Sequence, residues 1–487
     1  MPYLRASVKL GDRNNDSDVA IYDVKFYPYA SPDAKPVFAC TGGRDTFVCR
    51  PSSSADDPIE ILQHFRDDDI ADTPLEGPGS DLRERQDKAA LNSLVWSQDP
   101  DTGDPLLCVS GEIAKIRIID VKSGSITRTL VGHGAGINDL VVSPRSPSVL
   151  ASASEDHSIR LWNLDATYQK RPCAALLVGE GHKQAVLSIS FHHTGKYLIS
   201  GGQDLAVNLW VVPDVPDENA DTDNTTSIHF PHFASSEIHA DYVDWCDAIL
   251  PQSGENADQR RSVMFYNDLI ISRSAKENKI LLWKIDGFNS ADPPPAEPPT
   301  ANAASAKTRS AFGGRFQRLY EFDAPHSTLY YMRFGLYHAA DQHPVLAMGN
   351  EKSAVYFWDL QKIEEGYEVA AEANGARVKG KKKKKKIGAG TAGMLGEAMG
   401  LGKGREESCG SNASSAMVSS HSSNSLPVAE RRSVLADPFY AIPPHLTITE
   451  PKVQLNFPVR QIDWSPRGDW CVSVGDYGMI CLFRRWE

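Results

Sequence analysis

Gly132-His133, Leu150-Ala-Ser-Ala-Ser154-Glu-Asp156 and Ile159-Arg-Leu-Trp162-Asn163 recur, in the same order, as Gly181-His182, Leu198-Ile-Ser200-Gly-Gly-Gln-Asp204 and Val207-Asn-Leu-Trp210. In both copies the serine stands four residues before the aspartate (Ser152 to Asp156, Ser200 to Asp204) and the aspartate six before the tryptophan. The two units lie 49 residues apart. Self-similarity at such a period marks a small sheet that cannot bury its own faces and must stack on copies of itself.

Weaker copies follow the same plan: an inner strand ending in an aromatic or apolar anchor, a Ser/Gly-rich strand, a turn, and an alternating apolar strand. They are Tyr22 to Phe26 with Phe47-Val48, Asn92 to Trp96 with Ile116 to Ile119, Tyr242 to Ala248 with Leu281-Leu-Trp283, Tyr330 to Phe334 with Val355-Tyr-Phe-Trp358, and Arg460 to Trp464 with Ile480-Cys-Leu-Phe483. With the two clear units this makes seven. The reading is an all-β, seven-bladed WD40 β-propeller spanning residues 1–487 as one domain. The last unit ends at Trp486 with no outer strand after it, whereas Tyr3 to Leu10 alternates like a strand. That N-terminal segment is expected to close the last blade and remove an open sheet edge. Three insertions, 214–227, 291–310 and 364–444, are polar, Pro/Ala-rich or Lys/Gly/Ser-rich. Too poor in apolar residues to bury a core, they are expected to be disordered.

Composition narrows the function classes. Eight cysteines are scattered without a C-x-x-C pair, so neither a disulfide framework nor a zinc or other metal site is signalled. The N-terminus lacks a secretory apolar segment and no run of about 18 apolar residues occurs, which points to a soluble intracellular protein without a membrane partner. The formal net charge of −12 suits a basic partner. Against that background, seven lysines lie within Lys379 to Lys386. Such a tract reads as a nuclear-localisation element, a weak nucleic-acid contact or a solvated loop.

Two constellations imitate catalysis. His133, Ser152 and Asp156, repeated as His182, Ser200 and Asp204, have the chemistry of a nucleophilic triad. A triad has no reason to appear twice at matching spacing, each copy closed by a tryptophan (Trp162, Trp210); the set reads instead as a hydrogen-bonded network locking the strands of a blade. The run Thr391 to Gly404 invites a phosphate-loop reading, but Glu397 and Gly404 stand where that motif needs Gly and Ser or Thr. No catalytic residue and no cofactor are expected.

Overlaying the inner strands on their anchors places Tyr22, Asn92, Asn138, Tyr330 and Arg460 at equivalent positions, four residues before Phe26, Trp96, Val142, Phe334 and Trp464. Blades six, seven, one and two are consecutive around a ring, so Tyr330, Arg460, Tyr22 and Asn92 converge near one mouth of the channel, with Tyr331 beside them. Tyrosine faces gathered there can box a quaternary ammonium such as trimethyl-lysine.

Leu130-Val-Gly-His-Gly-Ala-Gly-Ile-Asn138, Ser154-Glu-Asp-His157, Ile228-His-Phe-Pro231, Ile238-His239 and, above all, Leu329-Tyr-Tyr-Met-Arg-Phe334 resemble the EED family, called extra sex combs in flies. The resemblance implies a nuclear, non-enzymatic subunit of Polycomb repressive complex 2, which trimethylates lysine 27 of histone H3. It implies that one face reads the trimethylated histone H3 tail and stimulates a SET-domain histone methyltransferase, a helix of which sits on the opposite face. By motif, Tyr22, Tyr330 and Tyr331 match cage aromatics, and Asn138, Arg333 and Arg460 match polar residues of the same pocket. Asn92 occupies the fourth cage position, where the family has tyrosine; Phe65 is a candidate to replace it. This departure and the long insertion before the last blade suggest a divergent, fungal-type member. The competing reading is a general WD40 adaptor whose tyrosines merely pack.

Overall fold

The computed structural model describes residues 2–10, 19–67, 91–239, 262–299, 307–364, 439–450 and 456–485, apart from positions 32, 53, 55, 56, 218, 221, 223, 330, 340 and 341. These form seven sheets whose first four strands pair antiparallel in the order innermost to outermost. The innermost strands are Asp23–Phe26, Leu91–Gln98, Ile137–Ser143, Val186–Phe191, Ser262–Tyr266, Phe334–Tyr337 and Val459–Trp464, one to each of blades one to seven. The fold is a seven-bladed β-propeller.

The apolar pattern follows from stacking. A middle strand meets a neighbouring blade on both faces, so its side chains are apolar in both directions. Val345–Gly349 and Ala354–Asp359 of blade six are accordingly buried at every position. Outermost strands meet solvent and lose that continuity; in Ser125–Val131 of blade two, Ile126 and Val131 are exposed. The core is a set of apolar layers between blades: Cys108, Ile116 and Ile118 of blade two, for instance, pack with Leu150 and Trp162 of blade three.

Tyr3–Lys9 pairs antiparallel with Met479–Arg484, from Tyr3 opposite Arg484 to Lys9 opposite Met479, and is the outermost strand of blade seven. Leu10 N–H donates to the Gly478 carbonyl at 2.8 Å. The two ends of the chain therefore share one sheet.

Blade five departs from the sequence reading. Its innermost strand is Ser262–Tyr266, not the stretch 242–248, which lies outside the described residues. Alternation alone cannot rank two apolar segments that compete for one place in a sheet; the pairing of Ser262–Tyr266 with Leu269–Arg273 through a two-residue turn decides it.

The insertions also differ from expectation. Each contributes a short fifth strand, and all three leave from the same topological place, between the third and fourth strands of a blade, and reach back to the blade before. Thr226–Ile228, inserted in blade four, pairs parallel with Cys173–Leu177 of blade three. Thr308–Ser310, from blade five, pairs with Phe233–Ser235 of blade four. Ala441–Ile442, from blade six, pairs with Phe316–Asp323 of blade five. Backbone hydrogen bonds to a waiting sheet edge, not an apolar core, order these residues. Residues 214–227 are held further by Arg171, which donates to the carbonyls of Asn219 and Thr222 at 2.7 and 2.9 Å, and by Tyr168, whose hydroxyl donates to Asp217 at 3.1 Å. Residues 300–306 and 365–438, including Lys379 to Lys386, lie outside the described residues.

Candidate functional site

The repeated His/Ser/Asp/Trp sets are inside their blades. His133 Nδ1 meets Asp156 at 2.9 Å and its Nε2 meets Ser152 Oγ at 2.6 Å, while Trp162 donates its indole N–H to the same hydroxyl at 2.8 Å. His182, Asp204, Ser200 and Trp210 repeat this at 3.0, 2.8 and 2.9 Å. Both serines are fully buried, so neither hydroxyl can reach a substrate, and each already serves an indole. Burial pushes the Asp156 carboxyl up, but hydrogen bonds from His133, Ser158 and Gly134 outweigh it and hold it well below the usual range. Burial pushes the His133 imidazole down. Blade five carries a third copy that the sequence reading missed: His239 meets Glu277 at 2.5 Å and Ser272 at 2.8 Å, and Trp283 donates to Ser272 at 2.9 Å.

A second order of hydrogen bonding ties blade to blade around the channel. Phe26 N–H donates to Asp463 at 2.6 Å, Leu94 N–H to Asp23 at 3.0 Å, Leu140 N–H to Ser93 Oγ at 3.0 Å and Ile189 N–H to Asp139 at 3.0 Å. Each innermost strand thus offers a side-chain acceptor to the next blade's backbone, from blade seven to blade four. Arg333 crosses the channel from blade six and donates to the Asp139 carboxylate at 2.8 Å and the Asn138 carbonyl at 2.7 Å; its Nη1 also lies 3.8 Å from Asp23. Burial pushes the Asp23 carboxyl up, with Lys25 and Arg333 partly offsetting it.

Above this layer the residues singled out from sequence come together. The rings of Tyr22 (blade one) and Tyr331 (blade six) are 5.4 Å apart between centroids and inclined at 53°. The Arg460 guanidinium of blade seven lies 5.7 Å over the Tyr22 ring and pairs with Asp476 through two bonds of 2.6 and 2.8 Å. Asn92 of blade two donates from Nδ2 to the Tyr331 hydroxyl at 2.6 Å, and that hydroxyl donates to Asn138 Oδ1 of blade three at 3.2 Å. Tyr22 is half-buried at the rim, whereas Tyr331, Asn92 and Asn138 are buried. Tyr330 lies outside the described residues.

Tyr331 adopts φ = 52°, in the left-handed region that a bulky side chain enters only when its surroundings impose it. The surroundings are Arg273 and Glu351. Arg273, 1% exposed, donates to the carbonyls of Met332 at 2.5 Å, Leu329 at 3.4 Å, and Ser327. Burial lowers its pKa to about 10. Glu351 accepts from the Thr328 N–H and hydroxyl at 2.6 Å each and from the Leu329 N–H at 3.1 Å. One residue holds the loop by its carbonyls, the other by its N–H groups. No motif announced Arg273; only its burial without a carboxylate in hydrogen-bond contact reveals it.

Phe65 does not fill the place opposite Asn92. It sits on the outermost strand of blade one and, with Leu91, Val109, Ile119 and Ile126, lines a cavity of about 380 Å³ between blades one and two. An outermost strand lies far from the axis, so its side chains cannot reach the channel mouth. Among the described residues no group of three or more His, Cys, Asp or Glu side chains could hold a metal ion.

A family model described as WD domain, G-beta repeat matches residues 124–163, 173–211 and 450–484. The chain is 33% identical over 567 residues to the Polycomb protein EED of Chaetomium thermophilum, covering 98% of this chain and 93% of that one. It is 30% identical to the Polycomb protein esc of Drosophila melanogaster across 55% of this chain and 57% of that one. It superposes with a TM-score of 0.74 and 31% identity on a chain of the crystal structure of the C. thermophilum polycomb repressive complex 2, covering 100% and 98% of the two chains. A structure of that complex with H3K27me3 matches with the same TM-score, identity and coverage. With a third of its residues identical along nearly its whole length and the same propeller, the chain belongs to the EED family of Polycomb WD40 proteins.

Proposed function

We propose that this chain is a nuclear, non-catalytic scaffold subunit of a Polycomb repressive complex 2 that methylates lysine 27 of histone H3. It reads trimethyl-lysine at the channel mouth through Tyr22, Tyr330 and Tyr331, with Asn92 at the fourth wall and Asn138, Arg333 and Arg460 around it. Occupancy of that mouth stimulates the SET-domain methyltransferase, a helix of which docks on the opposite face. The observation that carries the reading is the contact of Tyr22 with Tyr331, two tyrosine rings from blades one and six brought together over a polar layer that fixes them. Each desolvated cation–π contact supplies about 1–2 kcal/mol, so flanking peptide contacts must add to the affinity. The 31% identity to a chain of a complex bound to H3K27me3 supports the same ligand. Lys379 to Lys386 adds a weak nucleic-acid contact, which would appear as a salt-dependent slope in binding.

Calorimetric titration with trimethylated and unmodified H3 peptides tests the reading. Methylation-dependent binding that Tyr331→Ala abolishes is expected; equal binding of both peptides overturns it. Retention of a SET-domain methyltransferase on purification separates this role from that of a general adaptor.

A further inference from the structure

Arg460 is bound by its backbone to the segment of one tyrosine and by its side chain to the other. Its carbonyl accepts the N–H of Arg333, two residues beyond Tyr331, at 2.7 Å, and its guanidinium lies 5.7 Å over the Tyr22 ring. A cation so placed already draws on the π-electrons of that ring. An ammonium boxed by Tyr22 would sit within about 6 Å of the ring centroid, so whichever face it takes it is no more than about 12 Å from the guanidinium. In a partly buried setting, two unit positive charges at that separation repel enough to weaken binding about tenfold. An uncompensated Arg460 would therefore oppose a methylated lysine at this mouth.

Asp476 supplies the compensation. Arg460 donates from Nε to Asp476 Oδ1 at 2.6 Å and from Nη2 to Oδ2 at 2.8 Å, a paired contact that fixes the guanidinium and cancels its charge together. Only 12% and 21% of the two side chains are exposed, so water screens the pair weakly. The carboxylate is itself anchored, in the turn between Trp470–Gly475 and Met479–Arg484. The Asp476 N–H donates to the Pro458 carbonyl at 3.1 Å, and the carbonyl of Gly475 before it accepts the N–H of Ile21, the neighbour of Tyr22, also at 3.1 Å. We propose that Asp476 is a positioning residue of the channel mouth, holding Arg460 over Tyr22 as a neutral pair so that the mouth admits a quaternary ammonium instead of repelling it. This rests on the reading of the mouth as a methyl-lysine site.

The test is titration of the full chain and of Asp476→Asn with H3-tail peptides carrying, at position 27, unmodified lysine, trimethyl-lysine or a neutral isostere with carbon in place of the ammonium nitrogen. Asparagine keeps an acceptor for Arg460 and gives up the charge. Asp476→Asn should weaken the trimethyl peptide about tenfold, less at high salt, and leave the neutral isostere within about twofold. Equal losses for the two peptides would reduce Asp476 to general support and overturn the proposal, as would no loss for either. The unsubstituted protein decides the question if the variant fails to fold: it should prefer the trimethyl peptide to the isostere, and equal binding or the reverse order means that the Arg460 charge is not cancelled. Unmodified lysine binding as tightly as both of the others would instead sink the reading of the site itself.

Discussion

Arg333 of blade six and Asp139 of blade three are joined by a 2.8 Å hydrogen-bonded ion pair across the central channel, with only 10% and 7% of the two side chains exposed. Asp139 also accepts the backbone N–H of Leu140 and, on its other oxygen, that of Ile189 in blade four. The pair thus braces three blades beneath the tyrosines. Arg333→Met leaves a buried carboxylate without its cation, and breaking a buried pair in this way costs about 3–5 kcal/mol. Urea unfolding should show that loss, while Arg333→Lys, unable to serve Asp139 and the Asn138 carbonyl together, should fall between. A loss below about 1 kcal/mol would mean that the channel relaxes around the vacancy.

Arg273→Met tests a positioning role. It strips the loop of residues 327–332 of its donor to three carbonyls and should cost about 1–3 kcal/mol. The decisive comparison is with Ser152→Ala, a change of similar stability cost far from the mouth. Arg273→Met should weaken methylated-peptide binding about tenfold and speed amide exchange around Tyr331; Ser152→Ala should do neither. Equal effects of the two on binding would reduce Arg273 to general stability.

Much of the ring was legible because a blade closed by a His/Ser/Asp/Trp network must hold those residues at fixed strand offsets, as in Ser152 to Asp156 and Ser200 to Asp204. The third network escaped for physical reasons. Residues 240–261 separate His239 from its blade, and a glutamate one position later, Glu277, replaces aspartate because its extra methylene spans the longer turn. Tyr22, Asn92, Asn138 and Arg460 could be brought to one mouth by overlaying anchors, since innermost strands of a propeller run parallel to the axis in equivalent registers. The back-reaching strands could not be read: three residues such as Thr226–Ile228 show no periodicity, and their partner is another blade's edge. That Arg333 braces the channel could not be read, because the residues it meets, Asn138 and Asp139, are far away in sequence.

The longer turn of the blade-five network can be tested directly. Glu277→Asp withdraws the carboxylate from His239 by about one methylene, which should cost about 1–2 kcal/mol through the unpaired imidazole N–H. The reciprocal changes Asp156→Glu and Asp204→Glu overfill shorter turns and should cost about as much. Thermal melts would show this, and a neutral Glu277→Asp would indicate that blade five does not depend on its network.

Acid should act in two opposed ways. His133 is pushed down by burial, so the unfolded chain takes up a proton near pH 6.5 before the folded one does; stability is full above that pH and declines below it. Asp156 and Asp204, held below the usual range, add a further loss as pH falls below about 4. Asp463, pushed up to about 6 by burial against the opposing pull of Lys25, has the opposite sign: its contribution is present below pH 4 and is lost as pH rises to 6. Asp463→Asn should therefore steepen the acid-side fall between pH 6 and 4 by about 1–2 kcal/mol, with screening at its half-buried edge allowed for. Urea midpoints at pH 4.5 and 7 would check it; an unchanged slope would place Asp463 among ordinary surface carboxylates.

The back-reaching strand from blade four gives a prediction about local, not global, stability. Arg171 meets Asn219, Thr222, Thr225 and the Cys173 carbonyl, clamping residues 219–225 beside Thr226–Ile228, and its guanidinium lies 5.6 Å over the Tyr168 ring. The strand itself is bound to blade three through Val178 N–H to the Ile228 carbonyl at 3.0 Å and three parallel residue pairs. A strand this short opens easily unless its leading end is held, because few of its bonds lie inside the ladder. Arg171→Ala should lower the opening free energy of residues 226–228 by about 1–2 kcal/mol, seen as roughly tenfold faster hydrogen exchange there and at Val178. Ala151 and Leu161, inside the four-stranded blade, should keep their protection, because their partners do not involve the insertion. Loss of protection in both places would mean that the fifth strand is part of the blade's cooperative unit, and no change in either would show that the edge pairing of Cys173–Leu177 holds the strand without the clamp.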